Sequence, residues 1–593
     1  MFGENVNASM MPGDGASYAR VNPDRVDPDQ TPSRAGQRLE TSFGSFDPCG
    51  SFESLERANG SNISNVPNDS NDPNDPNDPN DPNDASWCQI IPMRLAGHLV
   101  LLLAAILAAG CGKRSAKIAP DSGAWVDELV RQGCYDCLLD ARKAYEQLAV
   151  RSAAALSRVF EMDLLLALRE KELSIDPTAT LAHAESLVPR LAKLPADRML
   201  AIVKTIPEDA GGRRLLPPTN EAGEQLDSML TAVDTSPFST EFKSYMKLSL
   251  QCGRLTTDPP PPAPADSAPL LIYRRAICGN PVRVDALRAV RTMTPRFVEA
   301  SFFLGRVAMG TMFRTDGTQA RSLFEQAYAR FSNSPTIAFD LGTVYQATNE
   351  CRPAEMLFGR VLELRPAHEE ARLGRAVCRT YLSRNEEAIA DATVLVDARA
   401  SNRADAYYWR AWNRRHLTQI ASARADIEQA RALRYNARVL TLAGMIEYDQ
   451  RDFDVARRDL ERARDLDSRE CDAPWYLGLV EVAVESWPPG ANAFVAAAQC
   501  YDGLVKETEG FRAEMAARKD ISEAFRTSQL AGFDAAIADD SVRRSASELN
   551  AAINYGRAGD LPNATVYMKR AAVDPQRRSA VEDLRQVLGV PRW

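Results

Sequence analysis

At 593 residues, with 45% hydrophobic and 25% charged side chains, the chain has an ordinary globular composition and is long enough for more than one core. Its net charge of −9 gathers at one end: residues 1–92 hold 15 acidic and 5 basic residues, leaving 65 and 66 for the remainder. An essentially neutral body has no basic face to meet a phosphate backbone, so nucleic acid is not an expected partner.

In chain order, residues 1–92 carry Asn-Asp-Pro repeated from Asn71 to Asn83 and too few apolar side chains for a core. Either translation starts at Met93, or the segment is a disordered extension. In 93–110, Arg94 precedes a mostly apolar run that ends in Ala108, Ala109 and Gly110, directly before Cys111. That is the layout of a secretory signal peptide. A long acidic leader would hinder its recognition, which favours a start at Met93. Residues 95–112 also reach the lower length limit of a transmembrane helix. The run resembles the lipobox of bacterial lipoproteins, with Ala108 where that motif usually has Leu and Leu107 one place further back. The resemblance implies that Cys111 is acylated and becomes the mature N-terminus. Gly112, rather than Asp, then implies the outer membrane, facing the periplasm or the cell surface.

A short polar tether, 111–123, leads into an N-terminal α-helical region, 124–256. Leu138, Ala141, Tyr145, Leu148 and Ala149 fall on one helix face there, and Pro177, Pro189, Pro195 and Pro207 punctuate further helices. A proline-rich linker, 257–270, contains Pro259-Pro-Pro-Pro-Ala-Pro-Ala-Asp and separates this region from 271–593.

Beyond the linker the chain repeats itself. Counting from Pro335, Leu341-Gly342 stand at positions 7 and 8, Tyr345 at 11, Ala354 at 20, Phe358 at 24 and Pro366 at 32. Ala376, Ala388 and Ala392 come 34 residues later, then Ala411, Ala423 and Ile427, then Gly444, Ala456 and Leu460. Leu304-Gly305, Ala320 and Phe324 fit upstream with a small insertion, and Leu477-Gly478 opens a unit that Trp487-Pro-Pro-Gly is expected to distort. Ala552, Tyr555, Ala564, Met568 and Ala571 make a last unit. This ladder resembles the tetratricopeptide repeat (TPR), a helix-turn-helix in which small residues at 8 and 20 let helices approach and large ones fill the gaps. The fold class expected is therefore all-α: an α-solenoid of TPR-like repeats behind a helical N-terminal part and a disordered extension. Position 11 departs from the pattern at Arg379 and Arg414, and 505–545 does not fit.

The resemblance implies a concave groove lined by the first helix of each repeat. Carried over, its positions are Phe302, Arg306, Phe339, Thr343, Gln346, Leu373, Val377, Tyr381, Tyr408, Trp412, Arg415, His416, Met445 and Tyr448. Aromatic and Arg side chains make good interface anchors, and an apolar peptide is the natural ligand. The alternative for any of them is packing between neighbouring helices.

Eight cysteines lie beyond Cys111, an even number that suits an oxidising compartment. Neighbour pairing would join Cys252–Cys278, Cys351–Cys378 and Cys471–Cys500. Cys134 and Cys137 have CxxC spacing, which here reads as a local disulfide or two buried thiols rather than a redox or zinc site. No P-loop, dinucleotide fold motif or zinc-protease motif occurs. Ser244 and Lys247 match SxxK without its companion motifs, and His183, His368 and His416 are scattered. No enzyme, cofactor or metal site is expected. The functional expectation is a lipid-anchored, non-enzymatic scaffold that binds protein partners in the groove. The alternative is a solute- or glycan-handling TPR-like lipoprotein that serves a transporter.

Overall fold

The computed structural model describes residues 124–150, 152–208, 220–252, 267–278, 282–310, 317–519, 521 and 523–593. The segment 1–92, the signal-like run, Cys111, the tether and residues 257–266 of the linker lie outside them. Among the described residues every regular element is helical: 24 α-helices and two short 3-10 turns, with no strand. This is the all-α, solenoid-like succession that the periodicity predicts.

The N-terminal helices are α1 (Ala124–Gln132), α2 (Tyr135–Ala149), α3 (Ala153–Glu172), α4 (Thr178–Leu187), α5 (Ala196–Thr205), α6 (Asn220–Asp234) and α7 (Thr240–Gln251). α3 is buried along most of its length, and its buried residues include Glu161, Asp163, Arg169, Glu170, Lys171 and Glu172. Charges taken out of water need partners, and each of these finds one nearby. Glu161 accepts from Ser239 and from Arg158 at 2.7 Å. Asp163 meets His183 at 2.7 Å and Arg142 at 3.1 Å. Lys171 donates to the carbonyls of Val203, at 2.7 Å, and Ile206. These belong to the end of α5, where carbonyls have no helical partner.

The next helices are α8 (Pro269–Ile277), α9 (Val284–Met293) and α10 (Glu299–Met309), and Arg169 and Glu172 tie this region to α8 and α10. Arg169 bonds Glu299 on α10, Arg274 on α8 lies 2.9 Å from Glu172, and the Arg169 guanidinium sits 3.9 Å over the Tyr273 ring. One apolar cluster then runs from Cys134 and Leu173 through Phe297 and Phe324 to Phe358 and Cys378.

The repeats pair α10 with α11 (Gly317–Arg330), α12 (Pro335–Ala347) with α13 (Cys351–Leu364), and α14 (Glu369–Tyr381) with α15 (Asn385–Asp397). They continue with α16 (Arg403–His416) and α17 (Ile420–Leu433), α18 (Ala437–Asp449) and α19 (Phe453–Leu466), and α20 (Asp472–Ala483) and α21 (Trp487–Ala517). The first helices from α12 to α20 end in the same way. Asn349, Ser383, Thr418, Arg451 and Glu485 take positive φ two residues after the helix, and the next N–H reaches back to the carbonyl at position 11. A side chain in that left-handed conformation costs about 1–2 kcal/mol. The turn is therefore held by the packing of the helices it joins.

That packing rests on close approach. A Cβ on Gly342 would stand 2.9 Å from the Phe358 ring, and one on Gly374, in the next repeat, 2.8 Å from the same ring. Phe358 is thus wedged between two first helices. Gly305 faces Phe324, Gly444 faces Leu460 and Gly478 faces Phe494 in the same relation.

One expectation is corrected here and one departure is explained. Trp487-Pro-Pro-Gly does not distort its unit: α21 begins at Trp487 with Pro in its first turn, where the missing N–H is not needed, and Gly478 meets Phe494 normally. Residues 505–545 lost the repeat signal because α21 and α22 (Glu523–Arg557) are long paired helices that extend past the 34-residue unit. The end of α22 with α23 (Leu561–Ala571) completes the last unit, and α24 (Arg578–Val587) covers it.

Disulfides join Cys134 to Cys137, Cys252 to Cys278, and Cys471 to Cys500. The expected Cys351–Cys378 bond is absent. Both are buried free thiols within one apolar cluster. There they pack as small hydrophobes.

Truncating the wedge, Phe358→Ala, should cost about 3–5 kcal/mol in urea unfolding, because neither Gly342 nor Gly374 carries atoms to refill the gap. A second prediction concerns Glu447 of α18. It is buried, and burial first, then the charge of Asp459, pushes its carboxyl up to about 8. It is therefore neutral in the folded chain at pH 7 but ionised in the unfolded chain above about pH 4.3. Its contribution to stability is complete below that lower value and is lost as pH rises through 8. Melting curves should show Glu447→Gln gaining Tm over the parent progressively from about pH 5 to pH 8; a constant offset across that range would contradict a protonated Glu447.

Candidate functional site

The first helices α14, α16, α18 and α20 line up side by side, and between them lies a small pocket of about 20 Å³. Tyr381, Tyr408, Trp409, Trp412, Arg438, Thr441, Leu442, Met445, Glu470 and Asp472 form its walls.

The orientation of α16 makes this pocket. Position 24 of the preceding repeat is only Ala392, and position 23 is a buried Asp in both this repeat and the next. Asp391 accepts from Arg375 at 2.6 and 2.8 Å and from Arg379 at 2.8 Å. Asp426 accepts from Arg410 at 2.7 and 2.9 Å and from Arg414 at 2.7 Å. The two Arg residues that break the pattern at position 11 are thus halves of buried clamps, which replace the apolar wedge. Asn413, fully buried, donates to Thr380 Oγ1 at 2.8 Å and to the Trp409 carbonyl at 2.7 Å. With Arg410 and Arg414 turned to α17 and Asn413 to α14, α16 presents Tyr408, Trp409 and Trp412 toward α18.

The rings pack as a cluster. Tyr408 stands edge-on to Trp409 at 5.3 Å and stacks on Trp412 at 6.4 Å, while Tyr381 meets Trp409 edge-on at 6.1 Å. Arg438 lies 4.3 Å over Tyr408 and 4.8 Å over Trp409. Burial pushes the Tyr408 hydroxyl up to about 12, against the opposing pull of Arg438, so it stays neutral. Asp472 accepts from Tyr501 Oη at 2.8 Å. The pocket has an aromatic floor with a flat guanidinium and two carboxylates at its edge. It offers no nucleophile beside a general base.

The fourteen groove positions expected from the sequence do not all reach one surface. Tyr381, Tyr408, Trp412 and Met445 meet at the pocket. Phe302 does not: it is fully buried, 4.9 Å from Phe303 and 6.2 Å from Phe324, and fills the core behind α10. Arg306 pairs with Asp340 at 2.5 Å, and Phe339 packs 5.9 Å from Phe358 and 4.8 Å from His368. Thr343 donates to the Phe339 carbonyl at 2.9 Å, and Gln346 is half-buried near the end of α12. Leu373 and Val377 pack against the core cluster that holds Tyr408. Arg415 bonds Asp449 at 2.6 Å and Tyr476 at 3.2 Å, Tyr448 stands 6.1 Å from Tyr476, and His416 lies 5.4 Å from Trp412. Trp409, Arg438, Thr441, Leu442, Glu470 and Asp472 are not among the expected positions. Arg438 and Asp472 occupy position 2 and Thr441 position 5, so the repeat frame could have found them. Glu470, in the loop before α20, left no signal.

A wider cleft of about 1190 Å³ lies in the N-terminal region. Its walls include Arg131, Ser157, Arg158, Glu161, Arg190, Lys193 and Thr240. Of the SxxK pair, Lys247 is bound to Asp234 at 2.6 Å. Among the described residues no group of His, Cys, Asp and Glu is placed to hold a metal ion, and no helix is long and apolar enough to cross a membrane.

No family model matches the sequence. No curated protein matches it either. Among solved structures the chain is similar to Pseudomonas aeruginosa PilF, at 17% identity over 37% of this chain and 97% of that one, with a TM-score of 0.30. It is also similar to PilW, described as a widely conserved type IV pilus biogenesis factor, at 18% identity over 43% and 98%, TM-score 0.31. YrrB, described as a TPR protein with an unusual peptide-binding site, matches at 18% over 30% and 91%, TM-score 0.26. At these scores the likenesses add nothing to the reading of the pocket.

Removing the shared acid of the second clamp, Asp426→Ala, should cost about 3–5 kcal/mol, because Arg410 and Arg414 are left without their carboxylate. Tryptophan emission from Trp409 and Trp412 during urea unfolding would register it; an unchanged midpoint would mean that the clamp does not hold α16. In its period, its turns and its packing, the chain's helical array is a succession of tetratricopeptide-like helix-turn-helix repeats.

Proposed function

We propose that this chain is a non-enzymatic scaffold of the bacterial envelope. It is tethered to the outer membrane through acylated Cys111, faces the periplasm, and holds a partner protein against helices α14, α16, α18 and α20. The observation that carries the reading is the pocket. Tyr381, Tyr408, Trp409 and Trp412 converge there with Arg438, the residue types that dominate binding at protein interfaces. Compartment is argued separately. The small residues before Cys111 support lipidation, and three disulfides suit an oxidising space.

The N-terminal cleft favours a second reading. Its size and its Arg, Lys, Ser and Thr lining suit a polar solute or glycan handed to a transporter. The two readings place their ligands on different helices, so mutations separate them.

Tyr381 is the clean probe of the first, since it is 40% exposed and its loss should leave the fold intact. In pull-downs from envelope extracts, Tyr381→Ala should weaken capture of the wild-type partner about tenfold or more, whereas Arg190→Ala should leave it unchanged. The reverse order would favour the solute reading. Cys111→Ser should move the protein from the membrane to the soluble fraction; continued membrane retention would overturn the lipid anchor.

A further inference from the structure

The N-terminal cleft of about 1190 Å³ is walled by α1, α3, the 3-10 turn Val188–Leu191 and the start of α7. Four cations line it, Arg131, Arg158, Arg190 and Lys193, and three acids, Asp127, Glu161 and Glu241. One of the cations is already engaged: Arg158 lies 2.8 Å from Asp127 and 2.7 Å from Glu161. Glu161 also accepts from Ser239. Arg131 on α1, Arg190 in the turn and Lys193 just after it are exposed and have no ion pair or hydrogen bond among the described residues. Only one unengaged carboxylate, Glu241, stands with them. The repeats differ, for there Arg375, Arg379, Arg410, Arg414 and Arg431 are all held by carboxylates. A cleft with an excess of one sign of charge concentrates solutes of the opposite sign.

We propose that this cleft binds a small hydroxylated oxyanion, a sugar acid or a sugar phosphate, whose charged group is held by Arg131, Arg190 and Lys193. The inference rests on the solute reading of the cleft and names the class of solute. Each part of the lining matches a part of such a molecule. Guanidinium forks take carboxylate or phosphate oxygens in pairs, and the Lys193 ammonium adds a point charge. Ser157 and Thr240 line the cleft with hydroxyls that make no hydrogen bond among the described residues, and Glu241 accepts from sugar hydroxyls. Leu191, Leu194 and Pro237 supply apolar surface for the C–H face of a ring. The volume exceeds the roughly 300–1,000 Å³ typical of small-molecule pockets, so a single sugar enters with room to spare. A neutral sugar fits the hydroxyls equally well but leaves the three cations without a counter-charge.

The test titrates the full chain with glucuronate, glucose 6-phosphate and glucose by isothermal calorimetry at low salt. At least one of the two anionic sugars should bind, and which of them does so tells carboxylate from phosphate; glucose should give no heat. The affinity should fall severalfold between about 20 and about 300 mM salt, since exposed charges are screened. Arg190→Ala and Lys193→Ala should each weaken binding about tenfold. Lys143→Ala removes an exposed cation of α2 outside the cleft and should change nothing. Circular dichroism confirms that the three variants remain helical. Equal losses in Lys143→Ala and Arg190→Ala would overturn the site, because the binding would then follow overall charge. Glucose bound as tightly as its anionic analogues would overturn the anion class and leave the solute reading standing. Silence toward all three sugars would count against both.

Discussion

The repeats depend on one contact: a large side chain on the second helix of a unit pressed against a backbone that has no Cβ. Phe358 between Gly342 and Gly374 is the fullest case, since it sets the distance to its own first helix and to the next one together. Dispersion falls away within an ångström, so a wedge of this kind fixes the spacing of helices closely. The left-handed turn residues at Asn349, Ser383, Thr418, Arg451 and Glu485 depend on it. A non-glycine residue is held in that conformation because the two helices it joins are already placed.

Where the wedge shrinks, charge takes over. Ala392 cannot fill the space that Phe358 fills, and a buried Asp is gripped by three Arg side chains in its own repeat and by two in the next. Such clamps are poor sources of net stability, because desolvation offsets much of the attraction. They are directional, however: a guanidinium fork accepts a carboxylate in its own plane. The consequence is rotational, since α16 is turned until its three rings face α18 and the pocket opens between them. One repeat further on, position 11 becomes Glu447, facing the Asp459 that Arg431 holds at 2.6 Å, and the carboxyl there stays protonated. The same two positions thus serve apolar packing, ion pairing and a neutral acid in successive units.

At the other end, Arg169, Glu172, Arg274 and Glu299 are buried together and join α3 to α8 and α10. Here too the charges fix which faces meet. Together with the apolar cluster running from Cys134 to Cys378, they make the N-terminal helices and the first repeats share one interior.

The sequence by itself determined the all-α class, the 34-residue frame and the small and large positions that build it, because helix-helix contact imposes a strict local period on residue size. It also supplied the pairing of Cys252 with Cys278 and of Cys471 with Cys500, which lie near each other along the chain. Only the tertiary structure decided the rest. Phe302 and Tyr381 both stand at groove positions, yet one is sealed in the core and the other lines the pocket, since exposure depends on what packs beyond each helix. Arg379 and Arg414 looked like defects until Asp391 and Asp426 came to meet them. Cys351 and Cys378 had the spacing for a bond but are both buried free thiols, because spacing along the chain does not set the state of the sulfurs. The long helices α21 and α22 hid from the period for a plain reason: a pair that outgrows its unit keeps helical spacing and loses the repeat.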